Sequence, residues 1–328
     1  MERIYENAKK SPGRVAFPEA EEKNILLAAR ECLDQGFITP ILVGAPDRIK
    51  AAAAEHGVST EGFEFFNITD EALIDGLIEE YVTPDSVLGA KGLKRRSAQP
   101  LYPALMMLAV GKADVCFAGM THTTGEVILA GQTIVGLQDG VTSVSSIGIF
   151  DIPNYSGSEG ALLAFGDSAV VVDPSSEELA GIAISACDTI KALVGWEPRC
   201  AMLSFSTDGS MEHAKVDIVR NAVKLANEQR PDLLIDGEFQ LDSAINPKVA
   251  AKKVKRESAV AGKANIIIWP DLNVGNIGVK LVQQFTGAEA YGPVLQGFKK
   301  VVSDCSRSAP VAELVGNIAI SVVRAANS

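Results

Sequence analysis

The stretch from Asp236 to Arg307 decides how this sequence is interpreted. Three of its segments are DGEFQLDSAINPKVAAKK (236–253), AVAGKANIIIWPDLNVGNIGVKLVQQ (259–284) and AEAYGPVLQGFKKVVSDCSR (288–307). Each places Gly, Pro, Asn or Asp directly beside an apolar run. Glycine is required where the backbone takes a positive φ or approaches a ligand closely, and polar groups beside buried strands need hydrogen-bond partners. The stretch therefore predicts strand ends that are assembled around a ligand.

The size and charge of the chain limit the classes of protein it can belong to. Its 328 residues exceed one ordinary core, so two domains are expected. Hydrophobic residues make up 47% and charged residues 22%, which is typical of a globular protein. The net charge of −11 argues against nucleic acid as a partner, because affinity for nucleic acid comes from basic groups. A phosphorylated small molecule remains compatible, since a few basic side chains and backbone N–H groups suffice to hold one.

Cysteine usage and hydropathy predict a cytoplasmic protein that does not bind a membrane. The five cysteines are odd in number and lack CxxC spacing, which indicates reduced thiols and argues against a disulfide frame or a zinc site. The first residues, MERIYENAKKSPGRVAF, lack the apolar core of a signal peptide. No uninterrupted apolar run approaches the ~20 residues that a membrane span needs.

Alternating strand and helix patterns predict an α/β fold. Residues 15–17 and 41–44 read as strands, while residues 24–33 and a segment that begins near Pro46 read as helices. Such alternation favours a parallel sheet with right-handed crossovers. Between Val141 and Val172 the sequence is richer in Ser, Gly and β-branched residues, as in strands joined by turns. We therefore place a domain boundary near residues 136–140. Further strands are predicted at 63–68, 113–119, 200–207, 233–236 and 264–269, and further helices at 71–81, 101–110, 176–195, 216–229 and 312–326.

Four polar loops follow predicted strands. Their residues are 119–124, 204–209, 236–238 and 270–276. Open α/β sheets bind ligands outside the carboxyl ends of their strands. Any one of these loops is explained equally well as the cap of the next helix, but the four together favour one shared site.

The segment before the last predicted helix carries candidate catalytic groups. Arg307 could fork onto a phosphate or acyl oxygen, and Ser306 could donate to a developing negative charge. Glu313, about one turn into the helix, could act as a general base. From the residues alone, helix capping and a surface ion pair are the favoured explanation.

Other candidates carry weaker signals. His122 lies in a hydroxyl-rich turn, but a lone histidine is more often structural than catalytic. The basic cluster at residues 91–96 is interpreted as a solvated turn in preference to an anion site. Paired histidines and acidic clusters with metal-ligand spacing are absent from the sequence, as are GxGxxG after a strand and the P-loop motif.

Several segments together resemble one enzyme family. The segments at residues 14–29, 201–210 and 231–253, with the two quoted above that begin at residues 259 and 288, closely resemble phosphotransacetylases of the phosphate acetyl- and butyryltransferase family. The likeness runs from about Arg14 to Ala326. It implies an α/β fold similar to that of isocitrate and isopropylmalate dehydrogenases, with two α/β domains and a central cleft. The implied domains are residues 1–140 with 297–328, and residues 141–296.

The resemblance also implies an activity. Acetyl-CoA and phosphate would be converted reversibly to acetyl phosphate and coenzyme A, with no metal in the chemistry, no tightly bound cofactor, and a homodimer as the assembly. Ser306 and Arg307 match the family pair that stabilises the transition state. Glu313 stands where the family usually has an Asp that deprotonates the CoA thiol. The residues expected near the substrates are Thr123, Thr124, Ser206, Asn276, Lys280, Tyr291 and Gln296.

The chain also departs from the family pattern. Leu88 and Leu129 stand where the family usually has arginines that bind CoA or phosphate groups, and Arg95 or Arg96 is a hypothetical substitute. The missing arginines keep open a paralogue with reduced turnover. Transfer of longer acyl groups (propionyl or butyryl) also stays open, because the family includes phosphate butyryltransferases and the sequence does not reveal the walls of the acyl pocket. A decarboxylating dehydrogenase of the same fold would need clustered acids and a nicotinamide site, and the sequence shows neither.

Overall fold

The computed structural model describes residues 2–327, and residues 2 and 3 by their backbone alone. The elements are α1 Glu2–Lys10, β1 Gly13–Phe17, α2 Lys23–Asp34, β2 Ile38–Gly44, α3 Pro46–Glu55, β3 Glu64–Asn67, α4 Glu71–Tyr81, α5 Ala90–Arg96, α6 Leu101–Ala109, β4 Val115–Ala118, α7 Thr124–Ile134, β5 Ser145–Asp151, β6 Leu162–Gly166, α8 Ser176–Val194, β7 Arg199–Leu203, α9 Ala214–Gln229, β8 Leu234–Phe239, α10 Leu241–Ile245, α11 Pro247–Lys253, β9 Ile266–Ile268, α12 Leu272–Thr286, β10 Glu289–Gln296, β11 Val301–Asp304 and α13 Val311–Ala326.

The described chain divides into two compact units. Unit 1 comprises the residues up to Gly136 and those from Phe298 onward, and unit 2 comprises Leu137–Gly297. Each unit contains its own sheet with helices packed against it. The fold is therefore mixed α/β with two sheets.

The sheet of unit 1 is parallel throughout, in the order β11-β4-β1-β2-β3. Its inner strands are short apolar runs that are buried along almost their whole length, as expected for strands covered on both faces. From β1 the chain moves outward to β2 and β3, and then crosses to the other side of β1 to form β4. The strand order therefore reverses between β1 and β4, which is where such sheets usually bind ligands.

The sheet of unit 2 is mixed, in the order β10-β5-β6-β9-β7-β8. Strands β6, β9, β7 and β8 are parallel, whereas β5 and β10 pair antiparallel. β10 is an edge strand whose register shifts between Tyr291 and Val294, around Gly292-Pro293. In the core, the Phe165 ring stacks on the Trp269 indole at 5.3 Å between centroids.

Helix α12 lies against Trp269 through two glycines. A Cβ atom on Gly275 would stand 2.3 Å from the carbonyl oxygen of Asp167, and one on Gly278 would stand 3.0 Å from the indole. Such separations are far below van der Waals contact, so the helix reaches this depth because both positions lack a side chain.

Most predicted elements are present, often to within two residues. The predicted helix at 71–81 is α4, the one at 312–326 is α13, and the strand at 41–44 is the end of β2. The α/β class is confirmed as a mixed fold. Helix α12 and the strands β10 and β11 were not predicted.

Three sequence predictions are wrong. The strand predicted at 200–207 is β7, which ends at Leu203, and residues 204–207 lie in the loop that follows, where the Ser206 hydroxyl bonds Glu238 and the N–H of Met211.

The strand predicted to end at Asp236 continues to Phe239, because Gly237 and Phe239 still pair with β7, opposite Met202 and Leu203. The basic cluster at residues 91–96 forms α5 and is not a solvated turn.

Pairing within unit 1 explains the helix at this cluster. Lys94 bonds Asp75 at 2.5 Å, while the Arg96 guanidinium donates to the Tyr102 hydroxyl at 2.6 Å. The same guanidinium lies over the Tyr102 ring. Two of the charges are therefore used within the unit.

Candidate functional site

The carboxyl ends of three neighbouring strands in unit 1 bring candidate residues together. Glu19 follows β1, the loop 119–124 follows β4, and the loop 305–310 follows β11. Because β11, β4 and β1 are adjacent and parallel, these ends meet at one edge of the sheet. The strand-order reversal between β1 and β4 lies at the same edge.

Glu19 is a buried carboxylate that holds the loop after β4. It accepts hydrogen bonds from the backbone N–H groups of Met120 (2.7 Å), Thr121 (2.9 Å) and His122 (2.9 Å), and from the Thr121 hydroxyl. Its side chain is 1% exposed. Burial disfavours the charge, but the hydrogen bonds from His122 and the N–H groups outweigh burial and hold the pKa of Glu19 at about 2.

The fifth partner of Glu19 is the imidazole of His122. Nδ1 lies 2.7 Å from Oε1 of Glu19, and the ring is 25% exposed. This hydrogen bond raises the pKa of His122, against a smaller opposing effect of burial. His122 and Glu19 therefore form an ion pair over more of the neutral range than an ordinary histidine would allow.

The first turn of α7 is fixed at both predicted threonines. Thr123 is the N-cap residue, and its hydroxyl forms a capping box with Glu126. The Thr124 hydroxyl donates to Oδ2 of Asp304 at 2.6 Å, which joins the start of α7 to the end of β11. Backbone N–H groups at a helix start are suited to bind an anion.

Asp304 is the second carboxyl group at this edge. Burial raises its pKa to about 6, which the hydrogen bond from Thr124 offsets in part. Oδ1 of Asp304 is buried without a hydrogen-bond partner among the described residues. A Cβ atom on Gly119 would stand 2.4 Å from this oxygen, and Gly119 has a φ of +114°, so the position requires glycine.

Ser306, Arg307 and Glu313 lie on this side of unit 1 and are exposed. The hydroxyl of Ser306 lies 3.1 Å from that of Ser308. The positive charge of Arg307 acts on both Glu126 and Asp304 and lowers their pKa values, although it is not the main influence on either. Glu313 stands in the first turn of α13, at a helix N-terminus.

Two of the predicted substrate-binding residues in unit 2 are fully buried. The Ser206 hydroxyl donates to Glu238 at 2.8 Å and accepts the N–H of Met211. The Gln296 amide nitrogen donates to Ser145 Oγ at 2.9 Å. The Ser206 hydroxyl and the Gln296 amide nitrogen are used inside unit 2, so a direct substrate contact through either would require it to leave these partners. Oε1 of Gln296 is buried without a hydrogen-bond partner among the described residues.

The other three predicted residues of unit 2 are accessible. Asn276 and Lys280 lie one turn apart on α12, and the Asn276 amide donates to the carbonyl of Ser168 at 3.2 Å. Tyr291 lies in β10, half-buried, with its hydroxyl 2.8 Å from Glu289. The structure thus places Asn276 and Lys280 together and Tyr291 on a separate element.

A buried carboxylate also organises the loop after β7. Glu238 accepts from Ser206, from the N–H of Gly209 (3.0 Å) and from Nε of Arg220 (3.0 Å). Burial opposes ionisation, but these donors, with Arg220 foremost, lower the pKa of Glu238. Glu238 of β8 therefore holds the loop after β7, so the predicted polar segments 204–209 and 236–238 are in contact.

Sequence reasoning did not select Glu19, Asp304 or Glu238 individually. Each lies at or within two residues of a strand end, and each carboxylate is buried or largely so. An acidic residue at the end of an apolar run was the available signal, but its partners are far away in the sequence.

The two leucines at family arginine positions differ in exposure. Leu129 lies on α7 with 64% of its surface exposed, and Leu88 is half-buried just before α5. Arg95, a hypothetical substitute, is exposed on α5. A large exposed leucine on a polar helix surface contributes no charge for a phosphate.

Residues 2–327 contain no group of three or more His, Cys, Asp or Glu side chains arranged to hold a metal ion. Within the same range, every helix is too short or too polar to cross a bilayer.

Comparison with known proteins connects these features to an enzyme family. The family model described as phosphate acetyl/butaryl transferase matches residues 1–322. The chain is 39% identical to the phosphate acetyltransferase of Clostridium acetobutylicum over 99% of this chain and 98% of that protein. It is 38% identical to that of Thermoanaerobacterium thermosaccharolyticum, over 99% of each.

Solved structures give the same connection. A phosphotransacetylase from Streptococcus pyogenes is 30% identical, with a TM-score of 0.89 over 100% of this chain and 99% of that one. A 4-hydroxythreonine-4-phosphate dehydrogenase from Klebsiella pneumoniae superposes with a TM-score of 0.56 at 11% identity over 96% of this chain and 100% of that one, which is a likeness of fold alone.

Proposed function

We propose, since this chain belongs to the phosphate acetyl/butaryl transferase family, that it transfers an acetyl group reversibly between coenzyme A and inorganic phosphate. The observation that carries the proposal is the 39% identity with a phosphate acetyltransferase over 99% of this chain. The enzyme is accordingly an acyltransferase, with acetyl-CoA, phosphate, acetyl phosphate and coenzyme A as its substrates and products.

The proposed reaction is attack of the CoA thiolate on the carbonyl carbon of acetyl phosphate. Glu313 takes the proton from the CoA thiol, because the thiolate is the nucleophile and a free thiol ionises only near pH 8.5. The new carbon–sulfur bond forms as the bond from the carbonyl carbon to the bridging phosphate oxygen breaks. Acetyl-CoA and phosphate are released, and the proton goes to solvent or phosphate.

Ser306 and Arg307 are proposed to stabilise the charge that develops during this attack. The Ser306 hydroxyl is exposed and its neighbour Ser308 is itself a hydroxyl, so Ser306 is free to turn and donate to the carbonyl oxygen. Arg307 offers two parallel N–H groups to phosphate oxygens. Removal of such a donor typically lowers kcat by about 10²–10³-fold.

The remaining residues are proposed to position the substrates. The start of α7 offers the backbone N–H groups of Thr124 and Gly125 to the phosphate, whereas the N–H of Thr123 donates to Glu126. Asn276, Lys280 and Tyr291 are accessible and are proposed to bind polar groups of the substrates directly. Ser206 is proposed to act through the loop after β7, and Gln296 through its hydrogen bonds to β5 and α8, since both side chains are buried.

The family description also covers butyryl transfer, so longer acyl groups are the second candidate. The exposed Leu129 favours weaker charge-based binding of CoA than an arginine would give, which also keeps reduced turnover in view. Each charged hydrogen bond to CoA that is lost removes roughly 1.5–3 kcal/mol of binding free energy.

Thioester formation from CoA and acyl phosphates tests the proposal. We expect acetyl phosphate to give the highest kcat/KM among the acetyl, propionyl and butyryl compounds. We expect Ser306→Ala, Arg307→Ala and Glu313→Ala each to lower kcat by about 100-fold or more, which is the lower end for loss of a group that acts on the reacting atoms.

Arg48→Ala is the matched control, because Arg48 is a surface arginine on α3, paired only with Glu21 among the described residues. Its activity should equal that of the wild type. An undiminished rate in Arg307→Ala would contradict the mechanism, and absence of thioester from every acyl phosphate would contradict the function.

Four features predicted from the sequence, the first three of them through the resemblance, are kept as proposals. They are the two α/β domains with a central cleft, the homodimer, the absence of a tightly bound cofactor, and the cytoplasmic location. The compact units that divide after Gly136 and after Gly297 support the first as far as each unit by itself is concerned.

A further inference from the structure

We propose that His122 binds a phosphate oxygen of the substrate through Nε2–H, and that buried Glu19 is the residue that positions its ring. The identity of the anion rests on the proposed function. The arrangement of the two side chains does not, because it is read from the hydrogen bonds at the strand ends of unit 1.

Glu19 occupies a position that suits an anion. Its carboxylate accepts three successive backbone N–H groups, those of Met120, Thr121 and His122. Successive N–H groups of this kind form a concave anion site, here at the reversal of strand order between β1 and β4. The protein's own carboxylate therefore fills the position that an anionic ligand would otherwise take.

Glu19 also fixes the orientation of the His122 ring. Oε1 of Glu19 lies 2.7 Å from Nδ1 of His122, which fixes the tautomer and leaves Nε2 on the opposite side. Across residues 2–327, no hydrogen bond to Nε2 is present, and the ring is one-quarter exposed. A carboxylate that orients a histidine for a partner on its other nitrogen is a recurrent arrangement in functional sites.

The surroundings of His122 favour its positively charged form. Glu19 raises the pKa of His122 by hydrogen bonding, and the charge of Glu126 on α7 acts in the same direction. The imidazolium state donates from both nitrogens, so Nε2 presents a positive N–H group.

His122 and Arg307 follow adjacent strands of the sheet of unit 1. β4 and β11 pair with Ala118 opposite Asp304, and Thr124 is bonded to the same Asp304. His122 stands two residues before Thr124, and Arg307 stands three residues after Asp304. The imidazolium and the guanidinium therefore belong to adjacent strand ends, which suits a phosphate carrying two negative charges. A histidine that served only to brace the loop would not need an accessible Nε2.

Other titratable groups face this pair from the neighbouring elements. Cys116 in β4 and Cys305 after β11 are thiols whose pKa values are raised far above neutral by burial, so both stay uncharged. Asp304 titrates near pH 6 and becomes negative as the pH rises. Its effect is separated from that of His122 by observing the histidine directly.

Proton NMR of the imidazole groups gives that observation. The chain has three histidines, His56, His122 and His213, so the His122 signal is identified by its absence in His122→Gln. In the whole protein, we expect the pKa of His122 to lie above the usual value for histidine, and inorganic phosphate to raise it further. In Glu19→Gln the His122 pKa should fall. A His122 titration that phosphate leaves unchanged at saturation overturns the proposal, whether or not the enzyme turns over.

Kinetics in the wild type and two variants supply the second measurement. His122→Gln should raise KM for acetyl phosphate at least fivefold while KM for CoA stays within twofold. The rise in KM relative to wild type should become smaller at high pH, where wild-type His122 is neutral. His56→Gln is the matched control and should behave as wild type. Equal changes in both KM values, or none, would show that His122 only braces the loop. If Glu19→Gln does not fold, the NMR result with phosphate decides alone.

Discussion

Asp304 is a carboxyl group placed where ionisation is costly. Its Oδ2 accepts from Thr124, while Oδ1 is buried without a donor among the described residues. Burial raises the pKa of Asp304 from 3.8 to about 6, so the folded protein binds this proton more tightly than the unfolded chain. Ionised Asp304 therefore destabilises the fold, and the cost grows as the pH rises from 3.8 and is complete above about 6.

Asp304→Asn tests this cost. Asn retains an acceptor for Thr124 and removes the charge, so we expect the variant to be more stable than wild type by on the order of 1–3 kcal/mol at pH 8. The advantage should shrink steadily toward pH 4, because wild-type Asp304 is then protonated in the folded state. Urea unfolding at a series of pH values measures it.

Asp85→Asn is the control, since Asp85 lies exposed between α4 and α5. The difference in unfolding free energy between Asp85→Asn and wild type should stay nearly constant from pH 4 to pH 8. A constant difference between Asp304→Asn and wild type at every pH would contradict the assignment of a raised pKa to Asp304.

Helix α12 illustrates how an element is positioned by absent side chains. Gly275 and Gly278 face the Trp269 indole and the Asp167 carbonyl, so the helix axis lies closer to the sheet than a helix bearing side chains there could. Asn276 and Lys280 are carried on the same helix. The position of these two candidate substrate-binding residues therefore depends on the glycine contact.

Gly275→Ala is expected to destabilise the protein by about 2–4 kcal/mol, because overpacking costs typically 1–3 kcal/mol and the clash here is with backbone. The new methyl group would have to displace α12 or the Asp167 segment. We also expect a raised KM for CoA or acetyl phosphate through the shift of Asn276 and Lys280. Thermal unfolding and steady-state kinetics measure the two effects.

Gly181→Ala in α8 provides the comparison within unit 2. A Cβ atom there meets only Val141 at 3.8 Å, an ordinary contact. Alanine should stabilise α8 by up to about 1 kcal/mol through its higher helix propensity. If Gly275→Ala and Gly181→Ala changed the stability in the same direction, close packing on Trp269 would not be the reason that glycine is required at position 275.

At the scale of the whole molecule, unit 2 is a continuous insertion into unit 1. Its two ends are bonded to each other, with the N–H of Gln138 2.9 Å from the carbonyl oxygen of Gly297. The cut ends of unit 1 are equally close, because the N–H of Lys299 lies 3.1 Å from the carbonyl oxygen of Gly136. Each unit therefore has ends that a short connection can close.

We expect residues 137–297, expressed alone, to fold with a cooperative thermal transition, since the segment has its own sheet and core. Residues 1–136 joined to 298–328 through a short glycine linker should also fold. Circular dichroism and calorimetry of both fragments beside the full chain measure this. A fragment that lacks a cooperative transition would show that its core depends on the rest of the chain.

Sequence patterns predicted local structure better than they predicted the candidate site. Alternating apolar runs predicted β1, β2, α2 and α13, because periodicity reflects burial on one face. β10 was missed because glycine and proline interrupt its pattern. Ser306 and Arg307 were found through a family resemblance, and their roles stay proposals.

Glu19 and Asp304 were not predicted, because their importance comes from partners that the sequence does not connect. Glu19 holds His122, which lies 103 residues away, and Asp304 binds Thr124 at a separation of 180 residues. Burial of each carboxyl follows from the order of strands in the sheet, which no local pattern specifies.

The edge strand β10 bears on how this protein behaves at high concentration. An exposed strand edge is a template on which other chains can add further strands and begin to aggregate. Pro293 has no N–H to offer, and the register shift between Tyr291 and Val294 bends the strand at the same place. Another chain that added to β10 would therefore meet an interrupted ladder, which disfavours edge-to-edge aggregation at this edge of unit 2.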